Sequence, residues 1–207
     1  MRNITLVVLL LCSIAAAWSL GEIFGKCKPP GSYVYDMEEV ESGIFCGCKT
    51  TAPMYECLEV GQEPRSIQFA NDPLSIKGLS TNASHIKQRY GGKIVTHDGY
   101  RSLTLKGLYV IEGCCLYPNE GMIENTYQQA YAFISRYQIS SPTIKMRFGV
   151  KIGMDRDRVR KIIGDTPHMT CPSMDAYVEE CGGAFGQLTF KYNEGTLSEV
   201  IVQHIGD

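Results

Sequence analysis

Residues 149–165, GVKIGMDRDRVRKIIGD, carry a complete helix pattern between two glycines. Asp155 is a good N-cap, because its carboxylate can accept hydrogen bonds from the free N–H groups of a first helical turn. Val159, Ile162 and Ile163 fall at i, i+3 and i+4 on one helical face, and the arginines and the lysine between them are expected to point to water. Gly164 can end the helix in a left-handed conformation. The stretch therefore predicts a short amphipathic helix.

A strand pair is predicted downstream, in residues 185–202, FGQLTFKYNEGTLSEVIV. Leu188, Phe190 and Tyr192 alternate with polar residues, which is the period of a half-buried strand. Residues 193–195, Asn-Glu-Gly, supply a turn, and residues 197–203 predict a second strand. Together the two stretches predict a short helix that leads into a β-hairpin.

A fainter copy of this pattern lies upstream, in SIKGLSTNASHIKQRYGG (75–92) and YRSLTLKGLYVI (100–111). The longest helix candidate, residues 120–138, lies between the copies. Its apolar residues recur at spacings of four and three: Ile123, Tyr127, Ala130, Ile134 and Tyr137. The predicted fold class is α+β, an antiparallel sheet with helices on one face, built from two tandem helix–β-hairpin repeats and rich in disulfides.

The second copy resembles the segment shared by small outer-membrane assembly lipoproteins of the SmpA/OmlA type, and the tandem unit of the β-lactamase inhibitory proteins. The resemblance is carried by Gly153-Met154, Val159, Ile163-Gly164, Pro167 and Gly195-Thr196-Leu197. It covers residues 148–202 well and residues 74–111 poorly. It implies a tandem, inhibitor-like architecture. The lipoprotein role is not carried over, because Cys12 follows Leu11 and no lipobox is present.

The first residues predict export. Arg2 precedes an apolar run, Ile4–Ile14, and then small residues, Ala15–Ala17, which together indicate a signal peptide over residues 1–19. The run is shorter than the ~20 residues that span a bilayer, and no later segment is longer, so no membrane span is expected. The predicted organisation is a signal peptide (1–19), a cysteine-rich N-terminal region (20–66), a first α/β repeat with the long helix (67–140) and a second inhibitor-like α+β repeat (141–207). The expected location is secreted or periplasmic.

Eight cysteines follow the predicted signal peptide: Cys27, Cys46, Cys48, Cys57, Cys114, Cys115, Cys171 and Cys181. An even set in an oxidising compartment predicts disulfides. A zinc site at Cys46, Cys48 and Cys57 is the alternative, but the usual zinc-ligand spacing is absent.

Two pairs of cysteines stand out. Cys114 and Cys115 are adjacent, and because a bridge between neighbours is strained, each is expected to pair with another segment. A redox-active vicinal pair is the alternative. Cys171 and Cys181 bracket a loop of the right length to be closed by a bridge between them.

Catalytic motifs are absent from the sequence. The histidines at 85, 97, 168 and 204 are scattered, with no i, i+4 pair for a metal. The net charge of −2 gives no basic surface for nucleic acid. We therefore predict no enzymatic activity, no cofactor and no metal. Asn82-Ala83-Ser84 is a glycosylation sequon if the source is eukaryotic.

Another protein is the expected partner. Strand alternation predicts that Thr104, Lys106, Thr189 and Lys191 project from a helix-free sheet face that is open to a partner. The predicted function is a secreted or periplasmic, inhibitor-like, protein-binding protein. The alternatives are a thiol or redox enzyme that uses the vicinal cysteine pair, and an accessory protein of envelope assembly.

Overall fold

A computed structural model of the protein describes residues 47–56, 61–74, 82–113, 133–181 and 184–205. The chain divides into two compact units, Met1–Lys49 and Thr50–Asp207. Residues 47–49 are the described part of the first unit. The predicted signal peptide and most of the predicted cysteine-rich region lie outside the described residues, as do Cys27, Cys46, Cys57, Cys114 and Cys115.

Ten strands in the described residues form one sheet. They are β1 (Lys49–Thr50), β2 (Tyr55–Glu56), β3 (Lys93–Thr96), β4 (Tyr100–Leu105), β5 (Leu108–Gly113), β6 (Phe133–Ile139), β7 (Met169–Cys171), β8 (Met174–Cys181), β9 (Ala184–Asn193) and β10 (Thr196–Ile205). Their order is β1-β7-β8-β9-β10-β6-β5-β4-β3, and β2 pairs in parallel with β8. The registers from β7 to β3 are antiparallel.

Three short α-helices accompany this sheet: α1 (Arg65–Asn71), α2 (Ala83–Tyr90) and α3 (Arg156–Ile163). A 3₁₀ turn spans Arg147–Gly149. None of the helices in the described residues is long and apolar enough to cross a membrane.

The predicted α+β class with helix–β-hairpin repeats is therefore wrong. The described part of the chain is mostly a ten-stranded, largely antiparallel sheet with three short helices. In the described residues, four strands follow α2 and four follow α3, whereas a two-stranded hairpin was expected after each helix. The last strands of the two sets, β6 and β10, pair with each other. Strands from both sides of position 140 therefore belong to this one sheet.

The long helix predicted over 120–138 is also wrong where it can be compared, because residues 133–139 form β6. The cause is a β-bulge opposite Ile111 and Glu112, which leaves one extra residue in β6. Ile134 and Tyr137 are therefore both buried although they are three residues apart, and that spacing imitates one face of a helix. The remainder of the predicted helix lies outside the described residues.

The elements predicted from residues 149–203 are confirmed. Asp155 caps α3, its Oδ1 accepting from Arg158 N at 2.8 Å, and Gly164 ends the helix at φ 81°. Leu188, Phe190 and Tyr192 lie in the core, and the Phe69 ring from α1 packs 5.6 Å from the Phe190 ring. Full burial of such a side chain stabilises the fold by about 1.5–3 kcal/mol.

The loop expected between Cys171 and Cys181 is instead a turn followed by β8. An eight-residue strand extends roughly 23 Å at ~3.3 Å per residue, too far for a bridge that needs Cα atoms ~5.5 Å apart. Cys171 is bonded to Cys48. The expected Cys171–Cys181 bridge is therefore wrong.

Cys181 is also disulfide-bonded, and its partner lies outside the described residues. In the parallel pairing of β2 with β8, Glu56 lies beside Glu180. The next residues along the two segments are Cys57 and Cys181, so Cys57 is the first partner to test, by peptide mapping of the non-reduced protein. Recovery of a peptide joining Cys181 to any other cysteine would contradict this expectation.

Candidate functional site

The predicted binding residues do not form one open surface. Thr104 and Lys106 are exposed, whereas Thr189 is 2% exposed and its Oγ1 accepts from Gln187 Nε2 at 3.0 Å. Lys191 is half-buried, with Nζ 3.4 Å from the Glu199 carboxylate. The expectation that Thr189 projects into solvent is therefore wrong.

The registers explain this result. Thr104 and Thr189 belong to one row across the same sheet face, through Tyr109, Gln138 and Ile201. Four strand spacings of ~4.8 Å separate them by roughly 19 Å. Around Thr189 the face is buried, as Ala176, Met174 and Ile201 also are. The alternation of apolar and polar residues correctly predicted that Thr104 and Thr189 share a sheet face. It carries no information on which part of that face is buried.

The exposed aromatic at the 3₁₀ turn was not predicted. Phe148 has φ 57° and ψ 9°, and 37% of the residue is exposed. A bulky residue in the left-handed region is a genuine outlier, because its Cβ crowds the backbone. Gly149 follows at φ 78°. The chain therefore makes two consecutive left-handed residues here and places an aromatic ring on the first.

Two guanidinium groups hold this ring. The Arg65 guanidinium carbon lies 5.2 Å from the centre of the Phe148 ring, and that of Arg147 lies 5.1 Å from it. Both distances are within the ~6 Å range of a cation–π contact. Phe69 lies behind, with its ring centre 6.4 Å from that of Phe148. We refer to Arg65, Arg147 and Phe148 as the Phe148 cluster.

Backbone carbonyls fix both arginines. Arg65 Nη1 donates to Ile162 O at 2.9 Å, and Arg147 Nη1 donates to Gln68 O at 2.8 Å. The cluster thus joins the start of α1, the 3₁₀ turn and the end of α3. It presents a partly exposed aromatic ring with positive charge at its edges.

One carboxylate lies near the cluster. Asp72 is half-buried just after α1, and burial raises the pKa of its carboxyl, with the Arg147 charge acting in the opposite direction. Because the direction is upward, Arg147 does not fully compensate the burial of this group. Among the described residues, the ion pairs within 4.0 Å do not include Arg65 or Arg147.

A second arginine pair behaves differently. Asp175, fully buried, accepts from Arg156 Nη2 and Arg160 Nη2 at 2.6 Å each. Arg156 also donates to Cys171 O and Met174 O at 2.8 Å. Burial raises the Asp175 pKa, but the hydrogen bonds and charges of Arg160 and Arg156 outweigh it, so the pKa of Asp175 is lowered. This group fastens α3 to the β7–β8 turn.

The histidines remain apart in the described residues. His97 stacks on Tyr100 with ring centres 4.3 Å apart, and its Nε2 lies 3.0 Å from Ser102 Oγ. His168 is 4% exposed. In the described ranges, no three His, Cys, Asp or Glu side chains come together as metal ligands.

Asn82 caps α2, with Oδ1 accepting from His85 N at 2.9 Å. A glycan would be attached through the other atom of the amide, Nδ2. Glycosylation of Asn82 therefore stays a prediction that is compatible with the cap.

No sequence pattern could have located the Phe148 cluster. The pair Phe148-Gly149 allows a turn, but no local pattern places an aromatic residue at positive φ. The backbone carbonyls that anchor the two arginines are 97 and 79 residues away along the chain.

Comparison with known proteins adds little. No protein-family model and no curated protein matches the chain. Among solved structures, an extracellular protein containing an SCP domain from Bacillus anthracis str. Ames is similar at a TM-score of 0.35 and 11% identity, over 70% of this chain and 48% of that one. A similarity this weak assigns neither fold nor function. The resemblance to the SmpA/OmlA-type and inhibitory proteins stays a prediction.

Proposed function

We propose that this chain is a secreted or periplasmic protein that binds another protein in the manner of an inhibitor, with no catalytic activity of its own. The observation that carries the proposal is the exposed Phe148 ring, held between Arg65 and Arg147 on left-handed backbone.

The cost of this backbone supports a role for the ring. A non-glycine residue in the left-handed region costs on the order of 1–3 kcal/mol, and glycine would avoid that cost. Because the ring stays partly in water, its burial offsets only part of this. Interface hot spots are rich in aromatic residues and arginine, which is the composition of the Phe148 cluster.

The charge of the cluster indicates the partner's chemistry. A guanidinium has five N–H donors, and the contacts described above use Nη1 of each arginine. The other donors are suited to carboxylates at the rim of a partner's apolar patch that covers Phe148. Anchoring of both arginines lowers the entropy that binding would cost. We therefore expect an acidic partner surface with an apolar centre.

Disulfide chemistry supports the location. The Cys48–Cys171 bond is typical of secreted proteins and of other oxidising compartments. The alternative of a thiol or redox enzyme depends on Cys114 and Cys115, which lie outside the described residues. Alkylation of the native, non-reduced protein followed by intact mass distinguishes the two, because two free thiols would favour the enzyme. An accessory role in envelope assembly would instead predict that the partner is a membrane protein.

The test compares three baits against the extracellular or envelope proteins of the source: the natural chain, Phe148→Gly and Glu194→Gly. Glu194 is a matched control, because it is exposed, has φ 50° and precedes a glycine at φ 78°. We expect one partner to be captured by the natural chain and by Glu194→Gly. Its affinity for Phe148→Gly should fall about 30-fold or more, as for a hot spot of ~2 kcal/mol.

Equal affinity for all three baits would show that Phe148 is not the binding residue. Loss with both variants would indicate a general effect of glycine in these turns and would contradict a role of the ring.

A further inference from the structure

Strand β3 (Lys93–Thr96) ends the sheet on the side opposite β1. On one side it pairs with β4 in antiparallel register, with Val95 opposite Ser102. On its other side, no strand pairs with it in the described part of the chain. That side of β3 is therefore a sheet edge, whose backbone groups can pair with another strand.

The register shows which backbone groups of β3 face outward. His97 N donates to Tyr100 O at 2.9 Å, so these two residues form a hydrogen-bonded pair of the β3–β4 hairpin. Hydrogen-bonded and non-hydrogen-bonded pairs alternate along an antiparallel ladder. Val95 is therefore bonded to β4, whereas the N–H and C=O groups of Ile94 and Thr96 point away from it. Within the described residues, these outward groups have no backbone partner.

The centre of this edge is apolar and exposed. Val95 is 37% exposed, and it lies on the sheet face opposite that of Ile94, which packs against the core. Lys93 and Thr96 are exposed as well. Protein edges are commonly protected by charge or proline, but the single charge of β3 is at Lys93, the first residue of the strand. Ile, Val and Thr favour strands, so the rest of the edge is suited to pairing.

We infer that β3 pairs with β3 of a second copy of this chain, in antiparallel register about a two-fold axis. With the two Val95 residues opposite each other, Ile94 of each copy lies opposite Thr96 of the other. This register satisfies every outward N–H and C=O of the two residues, in four hydrogen bonds between the copies. The edge is thus complementary to itself, which favours a second copy over an unrelated strand.

The charges at the ends of the strand agree with this register. Lys93 of one copy lies opposite His97 of the other and one position from its Asp98, so an ammonium group approaches a carboxylate. The two-fold axis repeats this contact at the other end of the pair. Because the paired segment is short, we expect a weak, reversible dimer with a dissociation constant on the order of 100 µM.

The test is sedimentation velocity of the full, non-reduced chain from roughly 10 µM to 1 mM, which brackets that constant. Thr96→Pro removes an outward N–H and leaves the bonds to β4 in place. Because two hydrogen bonds are lost per dimer, we expect association to weaken about 30-fold. Thr96→Ala is the matched control: it keeps the N–H and should stay within about threefold of the natural chain.

A second pair of variants tests the centre of the interface. Val95→Lys places two ammonium groups opposite each other, and we expect no dimer up to about 1 mM. Val95→Thr keeps the β-branched shape without charge and should still dimerise. Thermal unfolding of every variant at about 10 µM, where the expected dimer is dissociated, shows whether the fold is retained.

A natural chain that is monomeric at 1 mM would overturn the inference. So would a dimer that Val95→Lys leaves unchanged, because association would then use another surface. If the chain stays monomeric and Thr96→Pro instead loses the partner captured by the natural chain, the edge binds that partner and not a second copy. The inference is independent of the Phe148 cluster, since Phe148→Gly should dimerise like the natural chain.

Discussion

Arg156 and Arg160 bind a buried carboxylate, that of Asp175. Arg65 and Arg147 instead contact an exposed aromatic ring, that of Phe148. In the first pair, both Nη2 groups meet Asp175 Oδ1 at 2.6 Å, and the carboxylate is fully buried. In the second pair, the guanidinium carbons lie 5.2 and 5.1 Å from the centre of the Phe148 ring, and neither arginine forms an ion pair within the described part of the chain. The same residue type therefore serves stability in one place, and in the other it leaves charge and aromatic surface available for binding.

The largest loss of stability is expected from a change at Asp175. Asp175→Asn leaves two guanidinium groups around a neutral side chain, and we expect a loss of about 3–5 kcal/mol in the free energy of unfolding. Denaturant unfolding measures it. Arg160→Gln, at a side chain that is 36% exposed, should cost less, because Arg156 still compensates the carboxylate.

Glu199→Gln is the control for Asp175→Asn. Its partner is Lys191, and both side chains are partly exposed, at 19% and 23%. Glu199 also accepts from Gln138 Nε2 at 2.6 Å, a bond that glutamine can keep, so loss of the charge alone should cost about 1 kcal/mol, less than at the fully buried Asp175. A loss at Asp175 no larger than at Glu199 would show that the buried group does not fasten α3 to the sheet.

Acid affects the two arginine pairs differently, because the pKa of Asp175 is lowered and that of Asp72 is raised. The Asp175 pKa lies below its ordinary value of 3.8, so its stabilisation is complete above pH 3.8 and is lost as the pH falls through the folded-state pKa. The Asp72 pKa lies above 3.8, so the folded state binds that proton more readily, and stability rises as the pH falls from the folded-state pKa towards 3.8.

Unfolding free energies measured from pH 7 to pH 2 for the natural chain, Asp175→Asn and Asp72→Asn test both signs. In Asp175→Asn, the free energy of unfolding should fall less steeply as the pH drops below 3.8. In Asp72→Asn, the rise in the free energy of unfolding that the natural chain shows as the pH falls towards 3.8 should be absent. An acid limb that is unchanged in Asp175→Asn would mean that other carboxylates cause the acid instability.

The elements that the sequence predicted correctly are those set by interactions between residues close together in the chain. Asp155, Gly164 and the alternation of Leu188, Phe190 and Tyr192 are sufficient to define α3 and β9, because cap, stop and strand period act within a few residues. The turn at 194–195 belongs to the same class. There the two positive φ values fit a two-residue hairpin, whose twist matches that of its strands.

Long-range effects account for what the sequence did not reveal. The bulge in β6 depends on its pairing with β5, and it gave a strand the spacing of a helix. The burial of Thr189 depends on what covers a sheet face, which alternation does not encode. The Phe148 cluster depends on backbone carbonyls that are distant in sequence. The residues next to Phe148 do not predict its left-handed backbone.

Glycine and alanine variants at positions 148 and 194 compare the backbone strain of the two turns, with the smallest expected changes in stability. Alanine removes the side chain and keeps the left-handed penalty, whereas glycine removes both, so Gly should be more stable than Ala by about 1–2 kcal/mol at each position. The Ala variant should cost more at Phe148 than at Glu194, because only Phe148 also loses contacts with two guanidinium groups, worth about 0.5–1 kcal/mol each at exposed sites.

Urea unfolding of the four variants measures both differences. If Gly and Ala were equally stable at position 148 but not at 194, the left-handed backbone at Phe148 would be absent in solution, and the ring would be presented without strain. If Gly exceeds Ala at both positions, the two turns carry the same penalty. At Glu194, the hairpin turn explains the free-energy penalty of the left-handed backbone. At Phe148, the same penalty is the cost of keeping an aromatic ring exposed between two arginines.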